Sequence, residues 1–416
     1  MISVQQALQI ILNNTQDFGV EEVLFLESVG RVLKEDIVAD RDFPPFNRVS
    51  MDGIAINHNV FEKGIREFKI EGVQAAGAEK KTMEVDSNCM EVMTGAVLPE
   101  NTDTVIRYED LVIESGIATI QVDVINQRQN VHQKGKDRSQ GDLLIPENRI
   151  ITAAEIGVIA TVGKSTVKVA KTPKVMIVST GDELVEVDET PLAHQIRRSN
   201  AFTLVSLLEK LNIKSETSHI ADDKSVLKQK IANYLKDYDV LLFSGAVSKG
   251  KFDFLPEVLE ELGVEKLFHR VTQRPGKPFW FGHTVPSDIA NQDGVERVEE
   301  GKKNNTVVFA FPGNPISTYV NCLVYFYSWF AKSVGFELKQ EIVILGEGVS
   351  FKPQLTYFLQ VRIEIKYGHL VAFPIKGNGS GDLASLVQAD GFVQLPKEQI
   401  EFKKGETYPI IKYRNF

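Results

Sequence analysis

The sequence predicts an α/β plus β chain with several domains, in which a doubly wound, mostly parallel α/β domain is flanked by β-rich regions. Three observations carry this prediction. Residues 174–334 alternate apolar strands with amphipathic helices, which is the pattern of βαβ units. Residues 20–150 and 336–416 show short β-like runs broken by turn residues. The length of 416 residues, at roughly 100–200 residues per domain, allows two to four domains.

The first part of the chain begins and ends with predicted helices. Ser3 followed by Gln6 forms a capping box, which predicts an amphipathic helix at the start. The β-like runs follow it. Thr152 and Glu155 form a second capping box, and Gly163 is expected to end that second helix.

The α/β region opens with KVMIVS, a continuous apolar run typical of a strand buried on both faces of a parallel sheet. The elements predicted after it are a helix at about 200–211, a strand at 214–220, a helix at 224–236, a strand at 239–244, a helix at 254–262, strands near 266–271 and 279–282, a strand at 307–311 and a long helix from Ile316. A polar stretch at 286–305 is predicted to be an exposed insertion.

Composition excludes several classes of protein. Forty-seven Lys and Arg residues against 56 Asp and Glu give a net charge of −9, which argues against nucleic-acid or anionic-membrane binding. Cys89 and Cys322 lie far apart and form neither a disulfide framework nor a thiolate metal site. The start lacks a signal-peptide pattern, and the apolar stretch 322–331 is shorter than the roughly 20 residues of a membrane span. We therefore expect a soluble, cytoplasmic protein.

Four predicted strands run directly into loops rich in glycine, proline and charge. These loops are TGDE at 180–183, GAVSKG at 245–250, QRPGKP at 273–278 and PGNP at 312–315. Ligands of an open α/β sheet bind in the crevice beyond the carboxyl ends of its strands. The four loops are therefore expected to converge on one crevice.

The side chains on these loops combine cations with carboxylates. Gly245 and Gly250 allow a turn whose N–H groups face an anion. The cations are Arg274, Lys249, Lys251 and Lys277, and the carboxylates are Asp182, Glu183, Asp222 and Asp253. Oxygen ligands beside a phosphate cradle predict Mg²⁺ bridging a pyrophosphate.

Simpler readings exist for each motif taken alone. TGDE, PGKP and PGNP are all common turn sequences, and GAVSKG lacks the Walker A spacing. Asp52 can be a turn former in the Ser-Met-Asp-Gly segment, and GNGSGD at 377–382 is not a dinucleotide fingerprint. The joint occurrence of four such loops at strand ends favours a binding site.

These motifs together resemble the molybdopterin molybdenumtransferase family of molybdenum-cofactor biosynthesis, which includes the catalytic part of gephyrin. The resemblance runs in order through the segments FPPFNRVSMDGIAI at 43–56, VMTGAVLPENTDTVI at 92–106, GKD at 135–137, STGDEL at 179–184, SGAVSKGKFD at 244–253, RPGKPFWFG at 274–282, FPGNPISTYV at 311–320 and GSGDLASLVQADGFVQLP at 379–396.

The resemblance implies a homodimer of elongated subunits that transfers molybdenum. Molybdate would be inserted into adenylylated molybdopterin with Mg²⁺-dependent release of AMP, and the upstream adenylyltransferase is a candidate partner. The implied domains are an N-terminal dimerising domain at 1–26, 44–56 and 138–172, an inserted β-rich domain at 27–43 and 57–137, the α/β substrate-binding catalytic domain at 173–334 and a C-terminal β domain at 335–416.

The resemblance implies a role for each residue of this chain that matches a site position of the family. Asp182, Glu183 and Asp222 would hold Mg²⁺. Ser248, Lys249 and Gly250 would cradle the pyrophosphate, with Asp253 as an orienting carboxylate and Arg274 as a further cation. The residues implied around molybdate are Lys277, Pro278, Ser317 and Ser380, and those implied from the neighbouring subunit are Asp52, Thr94 and Asp137.

The chain departs from the family pattern at several places. Ala246 stands where the family usually has Gly, Lys251 where Glu is common, Arg198 where Asp is typical and Gln360 where an Arg is expected. Two other functions stay open: a non-catalytic scaffold on the same fold, and the upstream adenylyltransferase activity. The presence of Asp182, Glu183, Asp222 and Lys277 favours the transferase over a scaffold, which has no need of buried like charges. The N-terminal and C-terminal regions argue against the adenylyltransferase.

Overall fold

The structure is a computed structural model that describes residues 1–245, 247, 254–284 and 305–414. The predicted insertion lies outside the described residues except for its last residue, Asn305. By its internal contacts the chain divides into two compact units. The first comprises residues 1–34, 148–152 and 167–416, and the second comprises 35–147 and 153–166. None of the helices in the described ranges has the length and apolar content that a membrane crossing requires.

The elements up to residue 170 are mostly short strands. In chain order they are α1 (Val4–Asn13), β1 (Val20–Leu24), β2 (Ile37–Val38), β3 (Arg48–Val49), β4 (Gly53–Ile56), α2 (His58–Glu62), β5 (Glu67–Gln74), β6 (Cys89–Val92), β7 (Thr104–Arg107), β8 (Leu111–Glu114), β9 (Ile117–Ile120), β10 (Val131–His132), β11 (Leu143–Ile145), α3 (Ala153–Thr161) and β12 (Thr166–Ala170). The capping box of Ser3 and Gln6 is confirmed, with both reciprocal hydrogen bonds present.

The second unit contains a six-stranded sheet with the order β7-β4-β6-β5-β9-β8. One face of this sheet carries a buried cluster that includes Ile54, Phe68 and Ile106. The β pattern predicted for this part of the sequence is therefore confirmed.

The α/β elements follow the predicted order. They are β13 (Val175–Thr180), β14 (Leu184–Val185), β15 (Ile196–Arg197), α4 (Ser199–Glu209), β16 (Ser215–Ile220), α5 (Lys224–Asp237), β17 (Val240–Ser244), α6 (Leu255–Glu261), β18 (Val264–His269), β19 (Gln273–Arg274), β20 (Trp280–Thr284), β21 (Val307–Phe311), α7 (Pro315–Asn321) and α8 (Tyr327–Ser333). The main sheet has the order β16-β13-β17-β21-β20-β18. Its first four strands are parallel. β20 runs antiparallel to them, and β18 at the edge, antiparallel to β20, runs in the same direction as the first four.

Apolar residues of the central strands alternate between two cores. Ile177 and Leu242 face a core that also contains Leu204 of α4 and Trp329 of α8. Residues one position along those strands, such as Val178, face a second core that contains helices α5 and α6. Helices thus cover both faces of the sheet, which is why the strands read as continuous apolar runs.

The long helix predicted from Ile316 differs in detail. It begins one residue earlier, and a π-helical turn at Cys322–Phe326 separates α7 from α8. Every residue of that turn is buried. The spacing of apolar residues that predicts a helix has a period of 3.6 residues and does not reveal an inserted π-turn. Such turns occur frequently at functional sites.

The C-terminal part of the first unit is a small sheet domain. Its elements are β22 (Glu341–Leu345), β23 (Val349–Ser350), β24 (Thr356–Lys366), β25 (His369–Pro374), α9 (Ser385–Gln388), β26 (Gly391–Leu395), β27 (Glu401–Phe402) and β28 (Thr407–Lys412). The sheet order is β19-β24-β25-β22-β28-β26, and an additional β24–β26 pairing closes five of these strands into a ring. Because β19 belongs to the α/β region, Gln273 and Arg274 connect that region directly to this sheet.

Candidate active site

The carboxyl ends of β13, β17 and β21 open into a cleft of about 430 Å³, which we call the first cleft. Residues from three of the predicted loops line it. They are Thr180, Gly181 and Glu183 of the first loop, Gly245 of the second, and Gly313, Asn314 and Pro315 of the fourth. Asp222, at the end of β16, also lines the first cleft. The predicted convergence of strand-end loops is therefore observed for these three loops.

Two of the carboxylate loops are tied to each other. The Asp182 carboxylate accepts a hydrogen bond of 3.0 Å from the backbone N–H of Asp222. The backbone of Glu183 accepts a 2.8 Å bond from Ile196, which anchors the TGDE loop to the β14–β15 pair. Glu183 and Asp222 face the cleft, whereas Asp182 serves as the bridge between their loops.

The backbone at Gly245 approaches its neighbours closely. Gly245 has φ = +115°, and a Cβ atom there would lie 3.0 Å from the Thr180 hydroxyl oxygen. Its N–H donates to the carbonyl of Phe311 over 3.0 Å. Only glycine combines this backbone conformation with the available space. The predicted phosphate-loop residues Ser248, Lys249, Gly250 and Asp253 lie outside the described residues, as do Ala246 and Lys251.

Val247 is held by His269 of β18. The His269 Nε2 atom lies 3.0 Å from the Val247 carbonyl oxygen, so this ring nitrogen carries the donated proton. Burial lowers the pKa of His269 from its usual 6.5, although the bond to Val247 opposes this shift.

The His269 geometry predicts a pH-dependent stability. The folded-state pKa of His269 lies below the unfolded value of 6.5. The contribution of His269 to the free energy of unfolding is therefore complete above pH 6.5. It decreases on acidification because the imidazole takes up its proton first in the unfolded chain. Denaturant melts between pH 7 and pH 5 should show a larger loss for the wild type than for His269→Gln. The glutamine amide can still donate to Val247 but does not titrate. Parallel pH profiles for the two proteins would contradict the assignment.

Asn200, in the first turn of α4, was not singled out by the sequence. Its amide donates to the hydroxyl of Ser244 at 2.9 Å and to the carbonyl of Gly313 at 2.6 Å. It therefore joins the ends of β17 and β21 in the wall of the first cleft. The only sequence signal was its place at a helix start, within a charged turn.

A second cleft, of about 170 Å³, lies between the α/β region and the C-terminal sheet. Arg274 and Ser380, both predicted site residues, line it together with Gln360. The N–H of Ile316 donates to the carbonyl of Ser380 over 3.1 Å. Ile316 and Ser380 line the second cleft, while their neighbours Pro315 and Gly381 line the first. The two clefts are thus adjacent, separated by this hydrogen-bonded ridge.

The predicted residues Lys277, Pro278 and Ser317 border this region but do not line either cleft. Lys277 is exposed on the loop after Arg274, and Ser317 is 3% exposed in the first turn of α7. The loop itself is fixed by a buried polar network. Gln273 donates to the Pro275 carbonyl at 2.9 Å and to the Asn321 amide oxygen at 2.8 Å.

Tyr325 and Asn321 complete this network. The Tyr325 hydroxyl donates to Gln273, and burial raises the pKa of Tyr325, so it stays protonated. Asn321 donates to the Gly276 carbonyl at 3.3 Å. Gly276 has φ = +91°, and a Cβ there would lie 2.6 Å from Asn321. Sequence reasoning missed Asn321 and Tyr325 because they lie within an apolar helical pattern, and it gave Gln273 no role beyond a place in the QRPGKP loop.

The donor set of the first cleft fits Mg²⁺ in a limited way. Among the described residues no three His, Cys, Asp or Glu side chains cluster as a metal site. Two carboxylates, Glu183 and Asp222, nevertheless line the cleft. Mg²⁺ commonly binds one or two carboxylates together with waters and substrate phosphates. These residues therefore suit a magnesium ion that arrives with a phosphorylated substrate.

The second unit holds the remaining predicted residues. The Asp52 carboxylate accepts bonds from the Thr94 amide at 2.6 Å and the Thr94 hydroxyl at 2.8 Å, which lower the pKa of Asp52. Asp137 is exposed, with its carboxylate 2.8 Å from the His132 ring. The N–H of Ser50 donates to Asn130, so the two loops that carry these carboxylates adjoin.

Family models match three consecutive parts of the chain. Residues 2–163 match the MoeA N-terminal region (domains I and II), residues 176–328 match the probable molybdopterin-binding domain, and residues 343–413 match the MoeA C-terminal region (domain IV). The α/β part is therefore of the class described as probable molybdopterin-binding domains.

Full-length relatives agree with these matches. The chain is 38% identical over 417 residues to a molybdopterin molybdenumtransferase of Synechocystis, covering 99% of both chains. It is 28% identical to one of Staphylococcus aureus, covering 99% of this chain and 95% of the other. A crystal structure of a molybdopterin biosynthesis MoeA protein from Pyrococcus horikoshii matches with a TM-score of 0.79 and 28% identity, covering 100% of both chains. The chain belongs to the molybdopterin molybdenumtransferase family.

Proposed function

We propose that the protein inserts molybdenum from molybdate into adenylylated molybdopterin, with Mg²⁺-dependent release of AMP. The observation that carries this proposal is the pair of adjacent clefts at the carboxyl ends of the parallel strands. One cleft offers carboxylates and a glycine turn, and the other offers an arginine and a serine. A substrate with a phosphoanhydride and a separate metal-binding end can occupy both clefts at once. The names of the full-length relatives support the same activity.

In the first cleft, Glu183 and Asp222 would bind the magnesium ion, and Asp182 would hold their loops together. Bound Mg²⁺ supplies charge neutralisation for the phosphoanhydride oxygens. Ser248, Lys249 and Gly250 would cradle the same phosphates, and Asp253 would orient them. The chain's own contribution is to hold Glu183 and Asp222 at strand ends before the substrate arrives.

In the second cleft, Arg274 and Ser380 would bind molybdate, with Lys277, Pro278 and Ser317 around them. Molybdate is a dianion, so a guanidinium, an ammonium and hydroxyl donors are the groups it requires. The dithiolene sulfurs come from the substrate, which agrees with the burial of both Cys89 and Cys322.

The site would be completed by a second copy of the chain in a homodimer. In this proposal Asp52, Thr94 and Asp137 come from the partner subunit. The chain would comprise four domains, at 1–26, 44–56 and 138–172, at 27–43 and 57–137, at 173–334 and at 335–416. It would act in the cytoplasm, next to the upstream adenylyltransferase.

The test is to incubate the protein with adenylylated molybdopterin, Mg²⁺ and molybdate and to measure AMP by chromatography. We expect AMP release that depends on both molybdate and Mg²⁺. A chelator should stop it, and added Mg²⁺ should restore it. AMP release at the same rate without molybdate, or no release at all, would contradict the proposed function.

The shared site predicts complementation between inactive variants. Asp52→Ala and Asp182→Ala should each lose AMP release, since each removes one half of the same site. Mixed and re-equilibrated dimers should regain up to about a quarter of wild-type activity, because half of the dimers are mixed and each of those holds one intact site. Two inactive Asp182→Ala preparations mixed together serve as the control. No recovery in the Asp52→Ala and Asp182→Ala mixture would place the site within one chain.

A further inference from the structure

Arg198 lies immediately before α4, in the wall of the first cleft. Its side chain is only 6% exposed. Arginine is rarely buried without partners that satisfy its charge and its five N–H donors. We therefore identified the hydrogen-bond acceptors and charged groups around this guanidinium.

Those partners are incomplete. One terminal nitrogen of Arg198 donates to the carboxylate of Glu186, whose own side chain is 47% exposed. The ring of Phe202 lies 5.9 Å from the guanidinium carbon. The Nε and Nη2 atoms are buried and find no acceptor among the described residues. A buried donor without an acceptor reduces the stability of the folded protein, and the reduction is larger when the donor belongs to a charged group.

Two other unpartnered atoms lie in the same cleft. The hydroxyl oxygen of Thr180 and the amide oxygen of Asn200 are both buried and have no hydrogen-bond partner in the described part of the chain. Ser199 and Asn200, the first two residues of α4, also line this cleft. The cleft wall therefore combines unsatisfied donors on a cation with one unsatisfied amide acceptor.

This combination matches a nucleoside monophosphate group better than a simple anion. Phosphate oxygens supply acceptors for the Arg198 fork, which binds phosphate bidentately, and a helix N-terminus favours the same charge. The amide oxygen of Asn200 needs a donor, which inorganic phosphate can supply only by keeping a proton on one of its own oxygens. A ribose hydroxyl or an adenine amino group provides it.

We propose that Arg198 is a specificity-determining residue of the first cleft that binds the phosphate of the adenylyl group through its two unpartnered N–H groups. The proposal rests on the proposed function, in which AMP is the leaving part of the substrate. Arg198 thus adds a cation to the first cleft, whereas Arg274 lies in the second. Glu186 accepts from the remaining nitrogen, Nη1, which leaves these two N–H groups for the phosphate.

The test is calorimetric titration of AMP, and separately of inorganic phosphate, into the wild type and four variants. Arg198→Ala is expected to weaken AMP binding about tenfold to a hundredfold. Arg198→Lys should retain part of the affinity, because it keeps the charge but loses the fork. Glu186→Gln should bind AMP at least as tightly as the wild type, since it removes a neighbouring negative charge and leaves the Nε and Nη2 donors unchanged. Asn200→Ala should reduce the preference for AMP over inorganic phosphate.

The outcomes separate this proposal from the function on which it rests. If the wild type binds no AMP, the assignment of the first cleft in the proposed function fails, and this proposal fails with it. If the wild type binds AMP and Arg198→Ala binds it equally well, only the role of Arg198 is overturned. Equal weakening by Arg198→Ala and Glu186→Gln would reveal a purely structural ion pair and would also overturn it. Thermal melts check folding, and Glu186 stays half-exposed in Arg198→Ala, so no buried charge is left behind.

Discussion

Replacement of Asp222 by Asn, or of Glu183 by Gln, is expected to lower AMP release by about a hundredfold or more, because each change removes an anionic oxygen ligand from the first cleft. Both substitutions keep the size of the side chain. Glu183 is exposed and Asp222 is partly exposed, so neither change should unfold the protein. Steady-state rates at increasing Mg²⁺ should show that the variants need more Mg²⁺ than the wild type.

A matched control is Glu209→Gln, which neutralises an exposed carboxylate at the far end of α4. Its rate and its Mg²⁺ requirement should equal those of the wild type. If Asp222→Asn and Glu183→Gln keep their full rate and an unchanged Mg²⁺ dependence, the carboxylates of the first cleft do not bind the ion. The magnesium proposal would then be wrong.

Replacement of Gln273 by Leu is expected to destabilise the protein by about 3 kcal/mol or more, since buried unsatisfied groups cost about 1–3 kcal/mol each. The change leaves three groups without their hydrogen-bond partner Gln273: the Tyr325 hydroxyl, the Asn321 amide oxygen and the Pro275 carbonyl. All three side chains of this network are fully buried. Denaturant unfolding should show the loss, and AMP release should fall because the same loop carries Arg274 and Lys277.

Tyr325→Phe is a milder substitution in the same network, to be compared with Gln273→Leu. It removes a single hydroxyl and leaves Gln273 bonded to both Pro275 and Asn321. We expect a loss of about 1–3 kcal/mol, clearly smaller than that of Gln273→Leu. Equal stability of Gln273→Leu and the wild type would show that the network does not hold the loop.

The parts of the fold that the sequence predicts are those with a strong period. The run KVMIVS and the stripes of α4 and α5 identify buried strands and covering helices because both sheet faces are packed. The loops at the strand ends follow from the same reasoning. Since parallel strands share one end of the sheet, Thr180, Gly245 and Gly313 meet although they are distant in sequence.

Other features depend on tertiary contacts that no local pattern carries. The π-turn before α8 and the network around Gln273 are set by packing of one element against another. The GNGSGD loop follows no predicted strand of the α/β sheet, so only the family resemblance pointed to Ser380; the loop supplies Ser380 to one cleft and Gly381 to the other. The sequence marks Arg198 only as a departure from the family pattern, and its burial and missing acceptors are what indicate a binding role.

The most direct measurement for the central claim is a crystal structure of the protein with AMP, Mg²⁺ and molybdate, with molybdenum located by its anomalous scattering. The account predicts phosphate density between Arg198 and Asp222 in the first cleft and a molybdenum peak beside Arg274 and Ser380 in the second. Molybdenum bound elsewhere, or AMP outside the strand-end cleft, would contradict it.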